Sequence, residues 1–268
     1  MISFPNIKIN IGLNIVGKRD DGYHNIESIF YPLPLSDVLE MIPSSEETTF
    51  IATGIEIPGA IEHNLCLKAF GLLQSDFNLP HLHIHLHKIV PIGAGLGGGS
   101  SDAAFVLKMV NEKFALGLSI ENLESYARRL GSDCAFFIED KPKYCFQKGD
   151  EFIPIALDIS PYFIVVIYPK LHISTAEAYA GVKPKASAYD LKTAIAAPID
   201  TWKHTIRNDF EDSIFPKYPT LGAIKDMLYE MGALYSSMTG SGSSLFGIFK
   251  KKMDTSHLEK NYWVWTSD

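Results

Sequence analysis

A run of glycines near the middle of the chain is the feature that most restricts how this sequence can fold. The segment from Pro91 to Ser101 reads P-I-G-A-G-L-G-G-G-S-S, and five of the seven residues from 93 to 99 are glycine. Glycine has no Cβ atom, so it tolerates positive φ angles and lets a ligand approach the backbone N–H groups. Where such a run precedes a helix, these N–H groups and the helix dipole favour a bound anion. The run therefore predicts a phosphate-binding loop.

The flanking segments predict a strand before the loop and a helix after it. Apolar residues alternate with histidines from 82 to 87, a period of two that is typical of a half-buried strand running up to Pro91. After the loop, apolar residues recur at helical spacing from Asp102 to Phe114, and Ser100 or Ser101 occupies the expected N-cap position.

Two other glycine-rich phosphate motifs fit this run less well. A Walker A loop ends in Gly-Lys-Ser or Gly-Lys-Thr, and no lysine follows Gly98 or Gly99. Gly93, Gly95 and Gly98 satisfy the dinucleotide pattern G-x-G-x-x-G, but here a second helix, and not a strand ending in an acidic residue, follows the first. The remaining alternative, a flexible loop without a ligand, is uncommon where a strand passes into a helix.

The rest of the chain has runs of strands interrupted by helices, which predicts an α+β protein. Isoleucine or leucine occupies every second position from 7 to 13, so these residues are expected on the buried face of a strand. Lys8 and Asn10 would then lie together on its other face. Because a new pattern begins near residue 154, we predict two domains, over residues 1–153 and 154–268.

Composition and charge narrow the class of protein. The 268 residues include 24 Lys and Arg against 31 Asp and Glu, a net charge of −7, which argues against nucleic-acid or membrane binding through bulk charge. Three cysteines without a C-x-x-C pair are typical of a reducing compartment. The first residues lack a signal-peptide pattern, and the strongest apolar stretch, Phe163 to Tyr168, is too short to span a bilayer. We expect a cytoplasmic protein.

Three motifs together resemble those of the GHMP kinases, the superfamily that includes galactose, homoserine, mevalonate and phosphomevalonate kinases. The glycine-rich run, continued to Ala104, resembles their phosphate-binding motif. Lys8-Ile9-Asn10 and the second glycine-rich loop between Met238 and Phe249 match the other two motifs in the expected order. The resemblance implies a two-domain α+β fold, each domain a mixed or antiparallel sheet packed with helices, with the site in the cleft between them. It also implies ATP and Mg²⁺ as cofactors.

One branch of the superfamily resembles the chain more than the others do. Asp21-Gly22-Tyr23-His24, the following Phe30, and Gly131-Ser132-Asp133 are similar to motifs of kinases that phosphorylate a tertiary hydroxyl of a cytidine diphosphate-linked polyol. This implies a role in non-mevalonate isoprenoid precursor biosynthesis, a small-molecule substrate, and a monomer or weak homodimer. A homoserine or mevalonate kinase, and a nucleotide-binding module without kinase activity, are the alternatives.

The resemblance also implies roles for individual residues. Asp133 would accept the proton of the acceptor hydroxyl, and Lys8 would keep that carboxylate ionised and steady charge on the phosphoryl group. Ser101 would be a metal ligand. Contacts near the adenine of the nucleotide are implied for Asn64 and Lys88. Further nucleotide contacts are implied for Pro91, Ile92, Gly93, Ala94, Gly95, Leu96, Gly97, Gly98, Gly99, Ser100 and Ser101. Acceptor contacts are implied for Asn10, Tyr23, His24, Phe30, Thr175 and Tyr179.

Structural alternatives exist for these residues. Asp133 could be a helix N-cap, Lys8 a solvated strand residue, and the aromatic residues of the acceptor set part of the core. A lone strand lysine such as Lys88 is usually solvated. Ser174 to Glu177 forms a capping box, which would place Thr175 at the beginning of a helix.

Two further patterns are not assigned to chemistry. His81, His83, His85 and His87 share one face of the predicted strand, but residues spaced by two lie about 7 Å apart, so the four cannot all bind one tetrahedral ion. A solvated strand face is the simpler prediction. Asn208-Asp209 resembles a pair that recurs in the family and is predicted to be structural.

Overall fold

The computed structural model describes residues 1–268, which form two compact units. Unit 1 comprises residues 1–8, 32–92 and 97–141, and unit 2 comprises residues 9–31, 93–96 and 142–268. The units are thus interleaved along the chain, whereas the sequence predicted one boundary after residue 153. That single boundary stays a prediction.

Twelve strands, nine helices and two short 3₁₀ turns follow one another along the chain. The strands are β1 (Ile2–Ser3), β2 (Asn6–Lys18), β3 (His24–Ser36), β4 (Val38–Pro43), β5 (Thr49–Gly54), β6 (Leu82–Lys88), β7 (Lys143–Phe146), β8 (Glu151–Pro154), β9 (Phe163–Tyr168), β10 (Tyr235–Met238), β11 (Leu245–Phe249) and β12 (Trp263–Thr266). The helices are α1 (Leu65–Phe77), α2 (Gly98–Lys113), α3 (Ile120–Arg128), α4 (Phe136–Glu139), α5 (Thr175–Ala180), α6 (Leu191–Ile195), α7 (Trp202–Thr205), α8 (Glu211–Lys217) and α9 (Pro219–Glu230). The 3₁₀ turns are Ile61–His63 and Ile199–Thr201.

Unit 1 contains a mixed sheet that supports the glycine-rich loop. Its strand order is β1-β4-β6-β5, antiparallel except for the parallel pair β5 and β6. In β6, Leu82, Ile84 and Leu86 are buried and the intervening histidines are exposed or half-buried, as the period of two predicted. Helix α2 contacts β4 and packs against α1, α3 and α4. The glycine-rich loop connects the end of β6 to the beginning of α2, so this sheet and this helix together position it.

Unit 2 contains an antiparallel sheet with strand order β10-β11-β9-β12. Helix α9 packs against β10 and β11, and every residue of β11 is buried. A third sheet has the order β2-β3-β7-β8. Sheets packed with helices confirm the predicted α+β class. None of the helices combines the length and apolar character that crossing a membrane requires.

Strand β2 differs from the sequence prediction in its burial. Residues 7–15 are buried on both faces, and these include Lys8 and Asn10, which were expected on an open face. The prediction was wrong because alternating polar and apolar residues indicate a solvent-exposed strand face only where the polar side chains lack protein partners. Here they have such partners, which offset the cost of burying them.

Helix α2 begins at Gly98 instead of the predicted Asp102. Its N-cap is Gly97, with φ +73°, and no side chain caps it, so the prediction of Ser100 or Ser101 as the N-cap was wrong. A glycine in the left-handed region turns the chain directly into the helix, and both serines consequently lie in its first turns.

Candidate active site

Lys8 and Asp133 form an ion pair in unit 1. The Lys8 Nζ atom lies 3.2 Å from Asp133 Oδ2. The lysine side chain is only 3% exposed, so it is not the solvated residue of the structural alternative. Asp133 is 32% exposed and lies in the turn between α3 and α4, whose N-cap is Ala135, so it is not a helix N-cap either. The pair combines a buried ammonium group with a carboxylate that solutes can reach.

Gly97 brings the glycine-rich loop directly against this lysine. An added Cβ at Gly97 would lie 3.0 Å from Phe137 Cζ and 3.1 Å from Lys8 Cε. An added Cβ at Gly99 would meet no protein atom within 4 Å, so the backbone there faces open space. The first N–H groups of α2 have no acceptor within the helix. An open glycine backbone with free donors fits an anionic group such as a phosphate.

Ser101 and Asp102 each carry a buried oxygen atom without a hydrogen-bond partner. Ser101 Oγ and Asp102 Oδ1 are both inaccessible, and no protein donor or acceptor reaches them. A buried polar atom without a partner is destabilising, and such atoms are common where a ligand completes the site. Oxygen atoms are the ligands that Mg²⁺ prefers, so Ser101 fits the role of a metal ligand.

Lys88 is enclosed by two carboxylates and is not solvated. Its Nζ atom donates to Asp37 Oδ2 at 2.5 Å and to Asp102 Oδ2 at 2.6 Å, and its side chain is 3% exposed. Burial raises the pKa of Asp102 to about 7, against the opposing effect of the Lys88 ammonium group. Asn64, the other residue expected near the nucleotide base, caps α1 by accepting from Cys66 N at 2.8 Å.

Asn10 is held by the second glycine-rich loop within unit 2. Its backbone N–H donates to Thr239 Oγ1 at 3.0 Å, and its side chain donates to Ser28 Oγ at 2.9 Å. The Thr239 hydroxyl also reaches Gly95 O at 3.2 Å, in the first glycine-rich loop. The sequence singled out the second loop but assigned no role to Thr239. The Thr-Gly-Ser-Gly sequence was the available signal, and its partners lie more than 140 residues away.

Asn208 and Glu211 bind the backbone at the beginning of the second glycine-rich loop. Asn208 Nδ2 donates to Met238 O at 2.8 Å and to Gly240 O at 2.9 Å. Glu211 Oε1 accepts from Met238 N at 2.8 Å. These contacts agree with the structural role predicted for the Asn208-Asp209 pair, whose Asp209 accepts from Ile15 N.

His24 and Tyr179 form an aromatic stack in unit 2. Their ring centroids lie 4.7 Å apart with an interplanar angle of 19°, and Tyr179 meets Phe210 edge-on at 4.9 Å. Burial, with a contribution from Lys18, lowers the pKa of His24. Tyr23 is exposed, whereas Phe30 is buried and packs near Phe152 at 6.0 Å.

Thr175 lies near the second glycine-rich loop, and the strand histidines, which were not assigned to a site, contact threonines. Thr175 opens α5, capped by Ser174, and its hydroxyl lies 3.5 Å from Ser241 Oγ. The histidines of β6 bond to threonine hydroxyls, and Thr53 Oγ1 lies 2.9 Å from a ring nitrogen of both His85 and His87. No group of three or more histidine, cysteine or acidic residues is arranged to hold a metal ion.

The predicted residues thus fall into two sets, one in each unit. Unit 1 brings Lys8 and Asp133 together beside Gly97 and the beginning of α2. Unit 2 brings Asn10 to Gly95 through Thr239, and His24 to Tyr179.

Known families match both halves of the chain. Residues 64–140 match the family described as GHMP kinases N terminal domain, and residues 193–260 match GHMP kinases C terminal. A protein of Cytophaga hutchinsonii named 4-diphosphocytidyl-2-C-methyl-D-erythritol kinase is 50% identical, covering 96% of this chain and 95% of its own length. The protein of the same name from Bacteroides thetaiotaomicron is 51% identical, covering 93% and 92%.

Solved structures agree with these relatives. A crystal structure of 4-(cytidine 5'-diphospho)-2C-methyl-D-erythritol kinase has a TM-score of 0.84 and 28% identity, covering 99% of this chain and 98% of its own. The mevalonate kinase of Methanococcus jannaschii has a TM-score of 0.73 at 14% identity, covering 99% of this chain and 97% of its own, which shows a shared fold alone.

The fold and the glycine-rich loop are those of the GHMP kinases, which are ATP-dependent kinases of small molecules. Within that class, the chain belongs to the 4-diphosphocytidyl-2-C-methyl-D-erythritol kinase family.

Proposed function

We propose that this chain transfers the γ-phosphoryl group of ATP to the 2-hydroxyl of 4-diphosphocytidyl-2-C-methyl-D-erythritol, a step of non-mevalonate isoprenoid precursor biosynthesis. Relatives of that name share half of its residues over nearly their full length. The observation that carries the proposal is the Lys8–Asp133 ion pair, which lies against the glycine-rich loop. A homoserine kinase of Cytophaga hutchinsonii and the mevalonate kinase of Methanococcus jannaschii share only the fold, at 15% and 14% identity.

Asp133 and Lys8 divide the chemistry between them. Asp133, the exposed partner, accepts the proton of the acceptor hydroxyl as its oxygen attacks. The Lys8 ammonium group, 3.2 Å away, keeps that carboxylate ionised and stabilises negative charge on the transferred group. Because Lys8 is buried, it acts in surroundings where a charge is screened less than in water.

The glycine-rich loop from Pro91 to Ser101 binds the phosphates through its backbone N–H groups, and Asn64 lies on the side of the nucleotide base. Ser101 Oγ is the residue that would hold Mg²⁺, since it is buried and lacks a protein partner. When bound, ATP supplies the phosphoryl group and Mg²⁺ neutralises charge on it.

The acceptor is held by residues of unit 2. The aromatic residues Tyr23, His24 and Tyr179 bind the cytosine, since ring faces stack on a base. Phe30 is 1% exposed and has no open ring face for a base, so it is left out of this set. Asn10 and Thr175 supply polar contacts. The observed His24–Tyr179 stack already provides a flat aromatic surface for this purpose.

The cellular setting follows from the same proposal. We expect a cytoplasmic enzyme, monomeric or weakly dimeric, that binds no nucleic acid. Fractionation of cells and analytical ultracentrifugation of the purified protein test the first two points. Filter binding to DNA and RNA tests the third.

Turnover with a panel of acceptors tests the function. Purified protein, ATP and Mg²⁺ are incubated with the diphosphocytidyl methylerythritol, homoserine or mevalonate, and the product is identified by ³¹P NMR. We expect turnover with the first acceptor alone. Turnover with a small acceptor would support another GHMP kinase activity, and ATP binding without turnover would support a binding module.

Inhibition by cytidine nucleotides tests the acceptor pocket. CMP and CDP should compete with the acceptor and not with ATP. Tyr179→Ala removes one stacking face and should raise the acceptor KM about tenfold or more with little change in the KM for ATP. If neither nucleotide competes with the acceptor, the aromatic pocket is assigned wrongly while the kinase assignment stands.

A further inference from the structure

We propose that Lys88 is a positioning residue whose ammonium group joins Asp37 to Asp102 and thereby fixes both ends of the glycine-rich loop. The proposal rests on the proposed function in one respect, that this loop binds the phosphates of ATP. It gives Lys88 a role through the loop backbone in place of the expected contact with the nucleotide base.

Asp37 fixes the segment that enters the loop. Its Oδ1 atom accepts from the backbone N–H groups of Ile89 at 2.6 Å and Val90 at 2.9 Å, and its Oδ2 atom accepts from Lys88 Nζ at 2.5 Å. Asp37 is fully buried, and its own N–H donates to Pro5 O at 2.9 Å. The last residue of β6 and the two residues after it therefore bind one carboxylate.

Asp102 fixes the helix that leaves the loop. It belongs to α2, next to Ser101, and its Oδ2 atom accepts from Lys88 Nζ at 2.6 Å. An added Cβ at Gly98 would lie 3.1 Å from the same Nζ atom, so the first residue of the helix packs on the ammonium group. Through Asp37, Lys88 is thus linked to Val90, the last residue before the loop, and through Asp102 to the helix that follows the loop.

The burial of this cluster argues for positioning and against contact with a ligand. All three side chains are at most 3% exposed, and two of the three ammonium N–H bonds point to carboxylates. Loop residues that bind phosphate through backbone N–H groups depend on a fixed spacing between those groups. A shift of about 1 Å in a binding element costs up to roughly 100-fold in function.

Ligand binding by Lys88→Met separates the two roles. Calorimetry with ATP, and competition by inorganic tripolyphosphate and by adenosine, measure the phosphate and nucleoside parts independently and need no acceptor. We expect ATP and tripolyphosphate to bind about tenfold or more weakly, with adenosine unchanged. Weaker adenosine binding with unchanged tripolyphosphate would overturn the proposal in favour of a base contact, and unchanged ATP binding would also overturn it. Failure of the wild type to bind ATP would instead contradict the proposed function.

A charge-matched double variant separates positioning from folding. Lys88→Met leaves two buried carboxylates without a counter-charge and is expected to lower Tm. Lys88→Met/Asp102→Asn restores the formal charge of −1 that one lysine and two aspartates carry, so Tm should rise while ATP affinity stays low. Recovery of ATP affinity together with Tm would overturn the proposal. Lys108→Met, on the same helix, is the control and should leave ATP affinity within about twofold, because Lys108 bonds to Phe137 O and not to the loop ends.

Discussion

Two buried lysines of unit 1 show how similar ion pairs can serve different purposes. Lys8 and Lys88 are each 3% exposed, lie on strands and bond to aspartate. They differ in their partners, since Asp133 is 32% exposed whereas the side chains of Asp37 and Asp102 are at most 2% exposed. A carboxylate that a substrate can reach is able to exchange a proton with it, and an enclosed one is not.

The comparison therefore assigns chemistry to the Lys8 pair and geometry to the Lys88 cluster. The enclosed cluster also binds the backbone N–H groups of Ile89 and Val90, which lead into the glycine-rich loop. Loss of the Lys8–Asp133 pair should therefore lower kcat, and loss of the Lys88 cluster should lower ligand affinity.

The largest effect is expected from Asp133→Asn. Asparagine keeps the shape but cannot accept the proton, so kcat should fall about 10²–10⁴-fold with ATP affinity nearly unchanged. Steady-state kinetics with titration of ATP measures both quantities. Asp140→Asn, a carboxylate bonded to Asn6 after α4, is the control. Turnover within tenfold of the wild type would break the assignment of chemistry to this pair.

Lys8→Met should have the next largest effect. Methionine has a similar length and fits a buried site, so the fold should persist while kcat falls roughly 10²–10³-fold through the lost charge. Circular dichroism and Tm verify the fold before the kinetics are compared. A fall in ATP affinity with unchanged kcat would make Lys8 resemble Lys88 and remove the contrast between them.

Gly99→Ala sharpens the comparison at the loop itself. No protein atom lies within 4 Å of the added Cβ, so stability should not change. A phosphate that approaches this backbone would meet the methyl group, and ATP should bind about tenfold more weakly with the acceptor KM unchanged. Gly97→Ala, where the Cβ would lie 3.0 Å from Phe137 and φ is +73°, should lose stability as well. Wild-type ATP affinity in Gly99→Ala would place the phosphates elsewhere.

The smallest effect concerns Cys134, the neighbour of Asp133. Burial raises the pKa of this thiol to about 12, so almost no thiolate exists at pH 8. Iodoacetamide should therefore leave Cys134 unmodified in the native protein and modify it after denaturation, as peptide mass spectrometry would show. Rapid modification of the native protein would mean that the buried turn before α4, which contains Cys134, opens to solvent.

Local sequence patterns predicted helices and strands, whereas contacts between distant residues determined which polar side chains are buried. The alternation in β6 and the Ser174 cap of α5 depend on neighbours in sequence, and both predictions were confirmed. The burial of Lys88 depends on Asp37, 51 residues away, and no local pattern indicated that partner. The N-cap of α2 was predicted wrongly because serine side chains commonly cap helices, whereas here the left-handed Gly97 turns the chain.

The sequence predicted those site residues that belong to recognisable motifs. The Lys8–Asp133 and His24–Tyr179 contacts agree with roles that the family resemblance implied, which stay predictions until kinetics test them. Thr239 was missed because its importance lies in bonds to Asn10 and Gly95, 229 and 144 residues away. Periodicity cannot reveal a hydroxyl that joins three distant segments.

The interleaved chain has a consequence for synthesis on the ribosome. The chain passes between the units five times, after residues 8, 31, 92, 96 and 141. Strand β2 emerges early, yet its Asn10 bonds to Thr239, which is translated 229 residues later. At ordinary elongation rates that delay is about 10 to 50 s. During this interval an isoleucine-rich strand lacks its late partners, so the speed at which residues 11–239 are translated governs how long the nascent protein is exposed to aggregation.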